Sequence, residues 1–325
     1  MITDQANEAL TGQLLRNLSQ SAKSIVELSP VLLKSTGSTG FTGTGVIAYK
    51  NTEKGTFYVL TAKHNLLKAA KKAHDAIVRP AQWKPEDKDG NTATLVDYFR
   101  TNVRVEYRGA DMTKETPETC SPSGAITAIK LMEDWTYDVC LLEVSYTPQV
   151  TPRVAVFGPS DREQLKDIAA AQRLFIDQLA IAINSRDQVD GLRKYQFLQV
   201  GFGVQDRAVK GDFIGSLDKC KTKASELQDA GAVRKVYDSD VGQYQDTFRL
   251  TSTENCTTYV GDSGGPLFCV ELGATTAGIY LAGVTLGSDY FVRQEDEPPS
   301  LEEDPDGKYN NAATSLGQYY DRFNP

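Results

Sequence analysis

The segment Gly261-Asp262-Ser263-Gly264-Gly265-Pro266-Leu267 sets one serine among small residues. Small neighbours leave the Ser263 hydroxyl exposed and let backbone N–H groups converge beside it. The N–H groups of Gly261 and Ser263 can then donate two hydrogen bonds to a carbonyl oxygen that is becoming negative, which is the chemistry of acyl transfer. A serine hydroxyl is a weak nucleophile at neutral pH and needs a base. The chain has 2 histidines, His64 and His74. His64 ends the apolar run Val59-Leu60-Thr61-Ala62-Lys63 and starts a helical pattern. His74 sits among lysines with no motif around it. The imidazole in turn needs a buried carboxylate to hold its tautomer. Asp134 and Asp138 both precede the apolar run Val139-Cys140-Leu141-Leu142, with Trp135-Thr136-Tyr137 between Asp134 and that run.

The string around Ser263 resembles the nucleophile motif of the chymotrypsin/trypsin-like serine peptidases. Thr61-Ala62-Lys63-His64 is similar to that family's Thr/Ser-Ala-x-His, and Asp138 stands where the family places its aspartate, just before an apolar strand. The resemblance therefore implies a triad of His64 as base, Asp138 as its orienter and Ser263 as nucleophile. The order His, Asp, Ser is that of this family and differs from the Ser, Asp, His order of α/β-hydrolases. Gln199-Val200-Gly201-Phe202-Gly203 resembles the Gly-Trp-Gly strand that opens the second barrel. Gly283-Val284-Thr285-Leu286-Gly287 resembles the strand lining the substrate cleft, with Thr285 keeping a hydroxyl where the family's serine bonds the triad aspartate. Gly307-Lys308-Tyr309 is similar to the far pocket wall.

What the resemblance implies about specificity follows from the same positions. Thr257 lies six residues before Ser263, where trypsin-like members carry Asp. Threonine is neutral, and Gly287 and Gly307 leave the walls open, so a bulky neutral substrate side chain fits best among Thr257, Thr285, Leu286, Gly287 and Gly307. The acidic stretch Glu295, Asp296, Glu297, Glu302, Glu303, Asp304 and Asp306 is the competing attraction, for a basic side chain. Asp262 is the activation residue of the family, which pairs with a freshly cut N-terminal amine. The usual Ile-Val-Gly-Gly start is missing here. Ile25-Val26-Glu27 is only faintly similar to it, and an internal partner for Asp262 is the preferred expectation. Asn65 and Tyr259 occupy places of usual half-cystines, which points to a disulfide-poor, intracellular or bacterial branch.

These residues need elements to hold them. Short strands with turn signals are expected near 45–49, 56–61, 102–108, 125–131, 138–146, 195–200, 246–252, 266–271 and 278–286, and Ser24–Leu28 also reads as a strand. Ala6, Leu10, Leu14 and Leu18 form one helical stripe over 4–21. Residues 65–78 read as helical, 84–91 as a charged turn-rich segment, and 292–306 as an acidic surface loop. Ser160 and Glu163 form a capping box for a helix through about residue 183. Leu316–Phe323 reads as a closing helix. The expected fold is all-β, two six-stranded antiparallel β-barrels of chymotrypsin-like type with added helices. Its parts are an N-terminal helix over 1–22, a first barrel over 23–158 carrying His64 and Asp138, a helical linker over 159–190, and a second barrel over 191–325 carrying Ser263. The resemblance runs from about residue 35 to the end, and 1–22, 70–100 and 160–190 look like additions.

Composition bounds the alternatives. With 35 Lys+Arg against 43 Asp+Glu, the 325-residue chain carries −8. No basic face or Lys/Arg run suits nucleic acid. No apolar run approaches the roughly 18 residues of a membrane span. No secretory signal is visible at Met1–Glu8, so a cytoplasmic setting is expected. The 5 cysteines at 120, 140, 220, 256 and 269 lack a tight CxxC spacing, and two histidines cannot complete a zinc set, so reduced thiols and no metal are expected. Glu86-Asp87-Lys88-Asp89-Gly90-Asn91 clusters oxygens that calcium prefers, but reads equally as a hydrophilic turn. No cofactor is expected. The expected partners are a protein or peptide substrate and a regulatory protein. The expected function is a regulated serine endopeptidase, or else a catalytically silent recognition module on the same fold.

Overall fold

The computed structural model describes residues 4–36, 42–66, 91–111, 119–120, 123–131, 138–146, 150–152, 195–203, 221–227, 234–238, 243–252, 261–271, 279–288, 292–294 and 309–315. The expected helix at 65–78 is described only over 65–66, which are helical; the turn expected at 84–91 gives way to a helix at Asn91, and the surface loop expected at 292–306 begins with a short strand, Val292–Gln294, because its residues pair with 236–238. The rest of these three segments and the expected helices at 160–183 and 316–323 lie outside the described residues.

The chain is mostly β. Six strands close a barrel in the order β1-β2-β3-β8-β7-β4. They are β1 (Pro30–Ser35), β2 (Thr42–Asn51), β3 (Thr56–Thr61), β4 (Val103–Glu106), β7 (Ser123–Leu131) and β8 (Cys140–Ser145). The pairing of Leu33 with Val105 and of Ser35 with Val103 closes the ring. β2 and β3 form a hairpin whose turn ends at Gly55, with a φ of 63° that suits glycine, while the Lys54 N–H donates to Asn51 Oδ1 at 3.0 Å. Register shifts between Ile47 and Tyr49 and between Ile126 and Ala128 bend two strands, as curvature into a barrel requires. A small sheet of β5 (Gly109–Asp111), β6 (Thr119–Cys120) and β9 (Val150–Pro152) stands beside it. Pro152 is the last residue of β9 and pairs with Gly109.

The second sheet has eight strands in the order β11-β10-β14-β15-β17-β13-β12-β16. These are β10 (Tyr195–Gly201), β11 (Lys221–Leu227), β12 (Arg234–Asp238), β13 (Gln243–Ser252), β14 (Pro266–Glu271), β15 (Ile279–Ser288), β16 (Val292–Gln294) and β17 (Tyr309–Ser315). Glu226 and Leu227 of β11 also pair with Thr251 and Leu250 of β13. The expectation of a second six-stranded barrel is thus met only in part. β12 and β16 continue the sheet past β13, and two residue pairs are all that draw β11 toward β13.

Three helices are described. α1 (Asp4–Asn17) and α2 (Gln20–Leu28) correct the sequence reading, which gave 24–28 to a strand. Ser19 caps α2, its hydroxyl accepting from the Ala22 N–H at 3.2 Å. The four-residue stripe that began at Ala6 simply continues, so Leu14, Leu18, Ala22 and Val26 are all buried. Tertiary burial of this stripe outweighs the β preference of Ile25 and Val26. α1 packs on β11 and α2 on β1. α3 (Asn91–Asn102) was not expected. It buries Phe99, and the Thr36 N–H donates to its Asn102 carbonyl at 2.8 Å. One apolar core joins the barrel (Val31, Val46, Val59), the N-terminal helices and the second sheet (Leu198, Phe268, Val284).

Phe57 is fully buried in this core and meets the Tyr107 ring edge-on, centroids 4.9 Å apart. Phe57→Ala is expected to lower the unfolding free energy by about 3–5 kcal/mol, read from the urea midpoint at unchanged slope.

Candidate active site

Strand register brings the first two residues together. β3 pairs with β8 so that Thr61 faces Cys140. Continuing that ladder by two residues sets the turn Ala62-Lys63 beside Val139 and Asp138. The chain then enters a helical turn at His64, with the Asn65 N–H donating to Ala62 O at 3.1 Å. Asp138 is fully buried, and a buried carboxylate requires donors. His64 supplies two. Its backbone N–H donates to Asp138 Oδ1 at 2.7 Å, and its ring Nδ1 lies 2.5 Å from Oδ2. An ionised carboxylate only accepts, so Nδ1 carries the ring proton and Nε2 of the neutral ring is an acceptor. Nε2 is buried and makes no hydrogen bond.

Lys63 is fully buried too. Burial pushes the Cys140 thiol far above its ordinary range, the Asp138 carboxylate pushes it further up, and the Lys63 ammonium partly offsets both. Cys140 is therefore a neutral, inert thiol packed against the pair.

Ser263 arrives from the loop before β14. Gly261 has a φ of 100° and Gly264 a φ of 85°, a region that side chains rarely adopt. A Cβ on Gly264 would also lie 2.2 Å from the Thr44 carbonyl oxygen and 2.2 Å from Thr61 Oγ1. The loop is held on its inner side. The Gly264 N–H donates to Thr285 O at 2.8 Å, and the Gly265 N–H to Asp262 O at 2.9 Å. A trans peptide points its N–H opposite its C=O. Tying Asp262 O to Gly265 thus turns the Ser263 N–H the other way. Ser263 is partly exposed, whereas Gly261, Asp262, Gly264 and Gly265 are buried.

The barrel grips the same loop. Thr44 N–H and Asn65 Nδ2 both donate to the Ser263 carbonyl, each at 2.9 Å. Thr44 Oγ1 donates to Gly261 O at 2.7 Å. Asn65 follows His64 directly, so this contact sets the His64 and Ser263 segments side by side. Ser263 Oγ and His64 Nε2 are not hydrogen-bonded to each other.

Asp262 turns inward and is buried, its Oδ1 accepting from the Gly203 N–H at 2.8 Å. A Cβ on Gly201 would lie 2.1 Å from that oxygen, and one on Gly203 2.7 Å. The two glycines are required because the carboxylate occupies their side-chain space. Ile25 and Val26, the faint cut-site candidate, lie within α2, with Val26 buried. Thr285 and Leu286 are buried in β15. The expected bond between Thr285 and Asp138 is not made. The Thr285 hydroxyl instead faces Gln199 Nε2 at 3.5 Å. Gly287 takes part in a register shift of β15 against β17. Thr257, Tyr259, His74 and Gly307 lie outside the described residues. Among the described residues no group of three His, Cys, Asp or Glu could hold a metal. None of their helices is long and apolar enough to cross a membrane. Sequence reasoning missed Thr44, named Thr61 only as the first letter of the His64 motif, and took Asn65 only for a missing cysteine. Their signal is faint, since Thr44 sits in a Gly/Ser/Thr-rich stretch that reads as a connection.

No family model matches the chain, and no curated protein matches it. Among solved structures it is similar to the Rv3671c protease from M. tuberculosis in its active form, at 15% identity and a TM-score of 0.41, over 94% of this chain and 82% of that one. A likeness at this level assigns no function.

The glycine at 264 generates a direct test. Gly264→Ala forces a side chain into the left-handed region and onto the Thr44 carbonyl. It is expected to cost well above the roughly 1–2 kcal/mol of the backbone conformation alone, read from thermal or urea unfolding.

Proposed function

We propose that the chain is a serine endopeptidase of the chymotrypsin/trypsin-like kind. The observation that carries this reading is the buried Asp138–His64 pair, with Nδ1 protonated and Nε2 left as a bare acceptor on the segment that Asn65 ties to Ser263. In the proposed reaction Ser263 Oγ attacks the substrate carbonyl carbon and its proton passes to His64 Nε2. Asp138 stabilises the imidazolium that forms. The N–H groups of Gly261 and Ser263 donate to the oxyanion. Collapse of the tetrahedral intermediate breaks the C–N bond, Nε2 returns the proton to the leaving amine, and an acyl ester remains on Ser263. Water, deprotonated by the same imidazole, then releases the acid. No cofactor or metal takes part in this scheme. The contact between β11 and β13 supports counting the second sheet as an opened relative of a six-stranded barrel.

In this reading Asp262 is satisfied by Gly203 without a new N-terminus, so the uncut chain forms the site. The pocket formed by Thr257, Thr285, Leu286, Gly287 and Gly307 prefers large neutral side chains because Thr257 offers no charge. A regulatory protein partner and a cytoplasmic setting complete the proposal. One observation favours the second reading, a silent recognition module, namely the missing hydrogen bond between Ser263 Oγ and Nε2.

A fluorophosphonate decides between the two. Labelling of Ser263 on a protein whose intact mass is the full chain plus one adduct is the expected result, and Ser263→Ala is expected to lose labelling and about 10⁴-fold or more in peptide hydrolysis. An unlabelled wild type supports the silent module, and labelling only after a cut before Ile25 establishes a zymogen. The second test is pH. Hydrolysis is expected to fall on acidification, because only the neutral imidazole accepts the serine proton, and His74→Ala is expected to leave that limb in place. A displaced limb in the His74 variant sinks the choice of base.

A further inference from the structure

Three buried residues, Thr44, Thr61 and Asn65, form a closed ring of hydrogen bonds with the carbonyl of the candidate nucleophile, Ser263. Asn65 Nδ2 has two protons. One goes to Ser263 O at 2.9 Å and the other to Thr61 Oγ1 at 3.0 Å. Thr61 Oγ1 passes its own proton to Thr44 O at 2.7 Å. Thr44 closes the ring through its N–H, which donates to Ser263 O at 2.9 Å. The direction of every bond is fixed by chemistry. Ser263 O and Thr44 O can only accept, so Asn65 must present its NH2 and Thr61 must point its hydroxyl at Thr44. Thr44, Thr61 and Asn65 are at most 1% exposed, so water does not compete.

Thr44 extends the ring to the rest of the loop. Its hydroxyl donates to Gly261 O at 2.7 Å and accepts from the Phe202 N–H at 3.2 Å. The Ser263 carbonyl thus has both lone pairs taken, which fixes the plane of the Ser263–Gly264 peptide. The Gly261 carbonyl is oriented by one bond, from the Thr44 hydroxyl. Between them lies the Asp262–Ser263 peptide, whose N–H is one of the two proposed oxyanion donors. Neither side chain is disposed to touch substrate, because both are spent on backbone groups on the inner side of the loop.

We propose that Asn65 and Thr44 are positioning residues that hold the Ser263 hydroxyl and the oxyanion-binding N–H groups in register with His64. The proposal rests on the reading of Ser263 as nucleophile. Asn65 acts as the strut between the two, since one residue belongs to the base segment and bonds the backbone of the nucleophile. Thr44 sets the orientation of the loop on either side of Ser263. Misplacement of reacting groups by about 1 Å is enough to cost around 100-fold in rate.

Thr44→Val removes the hydroxyl at nearly constant shape, and Asn65→Leu removes the two donors. Each is expected to lower kcat by about 10–100-fold with KM within about threefold, at temperatures where unfolding curves show the variant fully folded. Thr44→Ser keeps the hydroxyl and is expected to recover most of the lost rate. A kcat near wild type in either folded variant overturns the proposal, as does a Thr44→Ser no better than Thr44→Val. Should neither variant fold, native-state amide exchange on the unmodified chain carries the test. Thr44 N–H is expected to be among the slowly exchanging amides, and exchange at the rate of a free amide overturns the ring. Failure of the nucleophile reading is separate, because a wild type that fluorophosphonate leaves unlabelled fails that reading while amide exchange still tests the ring.

Discussion

A carboxylate with no access to water must be met by donors from its own chain, and in this molecule one residue meets Asp138 twice. The His64 backbone N–H and ring Nδ1 take one oxygen each. That arrangement needs His64, three positions past Thr61, to lie beside Asp138, two positions before Cys140, and the β3–β8 register provides it by carrying Lys63 opposite Asp138. The barrel is thus more than a scaffold on which a histidine is displayed. Shifting β8 by one residue against β3 would turn Asp138 to the other face and strand it without partners. The same bond defines the ring tautomer and so decides which nitrogen is left without a proton. Fold register, burial and protonation are one constraint here.

The second constraint is close approach. The segment Gly261–Gly265 lies against Thr44 and Thr61 of the barrel, Gly203 and Val200 of the second sheet, and Thr285. Gly265 would place a Cβ 2.2 Å from Val200 O, and Gly264 one 2.2 Å from Thr44 O. Backbone meets backbone at this junction, which is why the loop is glycine-rich. The inward carboxylate of Asp262 demands the same on the opposing strand, at Gly201 and Gly203. Five glycines in two distant segments are therefore explained by one packing event, and Ser263 is the residue it leaves facing outward.

The site was more legible in the sequence than the fold that carries it. His64, Asp138 and Ser263 stood out because each lies in a recognisable motif and the three follow one another in the order His, Asp, Ser, and the structure brings the first two into contact. Strands with dense apolar residues, such as Thr56–Thr61 and Pro266–Glu271, were readable for the usual reason. The polar strands were not. Lys221–Leu227, Arg234–Asp238 and Tyr309–Ser315 have little β preference of their own and are strands because neighbours pair with them. α2 was misread because Ile25 and Val26 look like a strand in isolation, whereas the buried four-residue stripe that makes them helical is visible only over 14–26. Thr44 was lost inside a Gly/Ser/Thr-rich stretch, since nothing local distinguishes a buried hydroxyl that caps two backbone groups from one facing water. The expected Thr285–Asp138 bond is not made, and the Thr285 hydroxyl oxygen instead accepts from Gln199 Nε2, which reaches it from β10 across β14.

Neither free thiol among the described residues, Cys140 or Cys269, cross-links this junction, and the contacts described there act only in the native state. Cys140 and Cys269 are buried free thiols on different sheets. A disulfide restricts the unfolded chain as well as the folded one, whereas hydrogen bonds and apolar contacts act only when the structure is assembled. Here the assembled structure has a single apolar core running from the barrel through the N-terminal helices into the second sheet. α1 leans on β11 and α2 on β1, so the helical stripe Leu14, Leu18, Ala22 and Val26 bridges the two β layers from behind. The polar contacts at Thr44, Thr61 and Asn65 bridge them at the front, where Ser263 stays partly exposed. Apolar burial supplies attraction without direction, and buried hydrogen bonds supply direction with modest net stabilisation. The molecule divides the two tasks in space. The core brings the β layers together, and the buried polar contacts fix the angle at which the Ser263 loop meets the His64 turn.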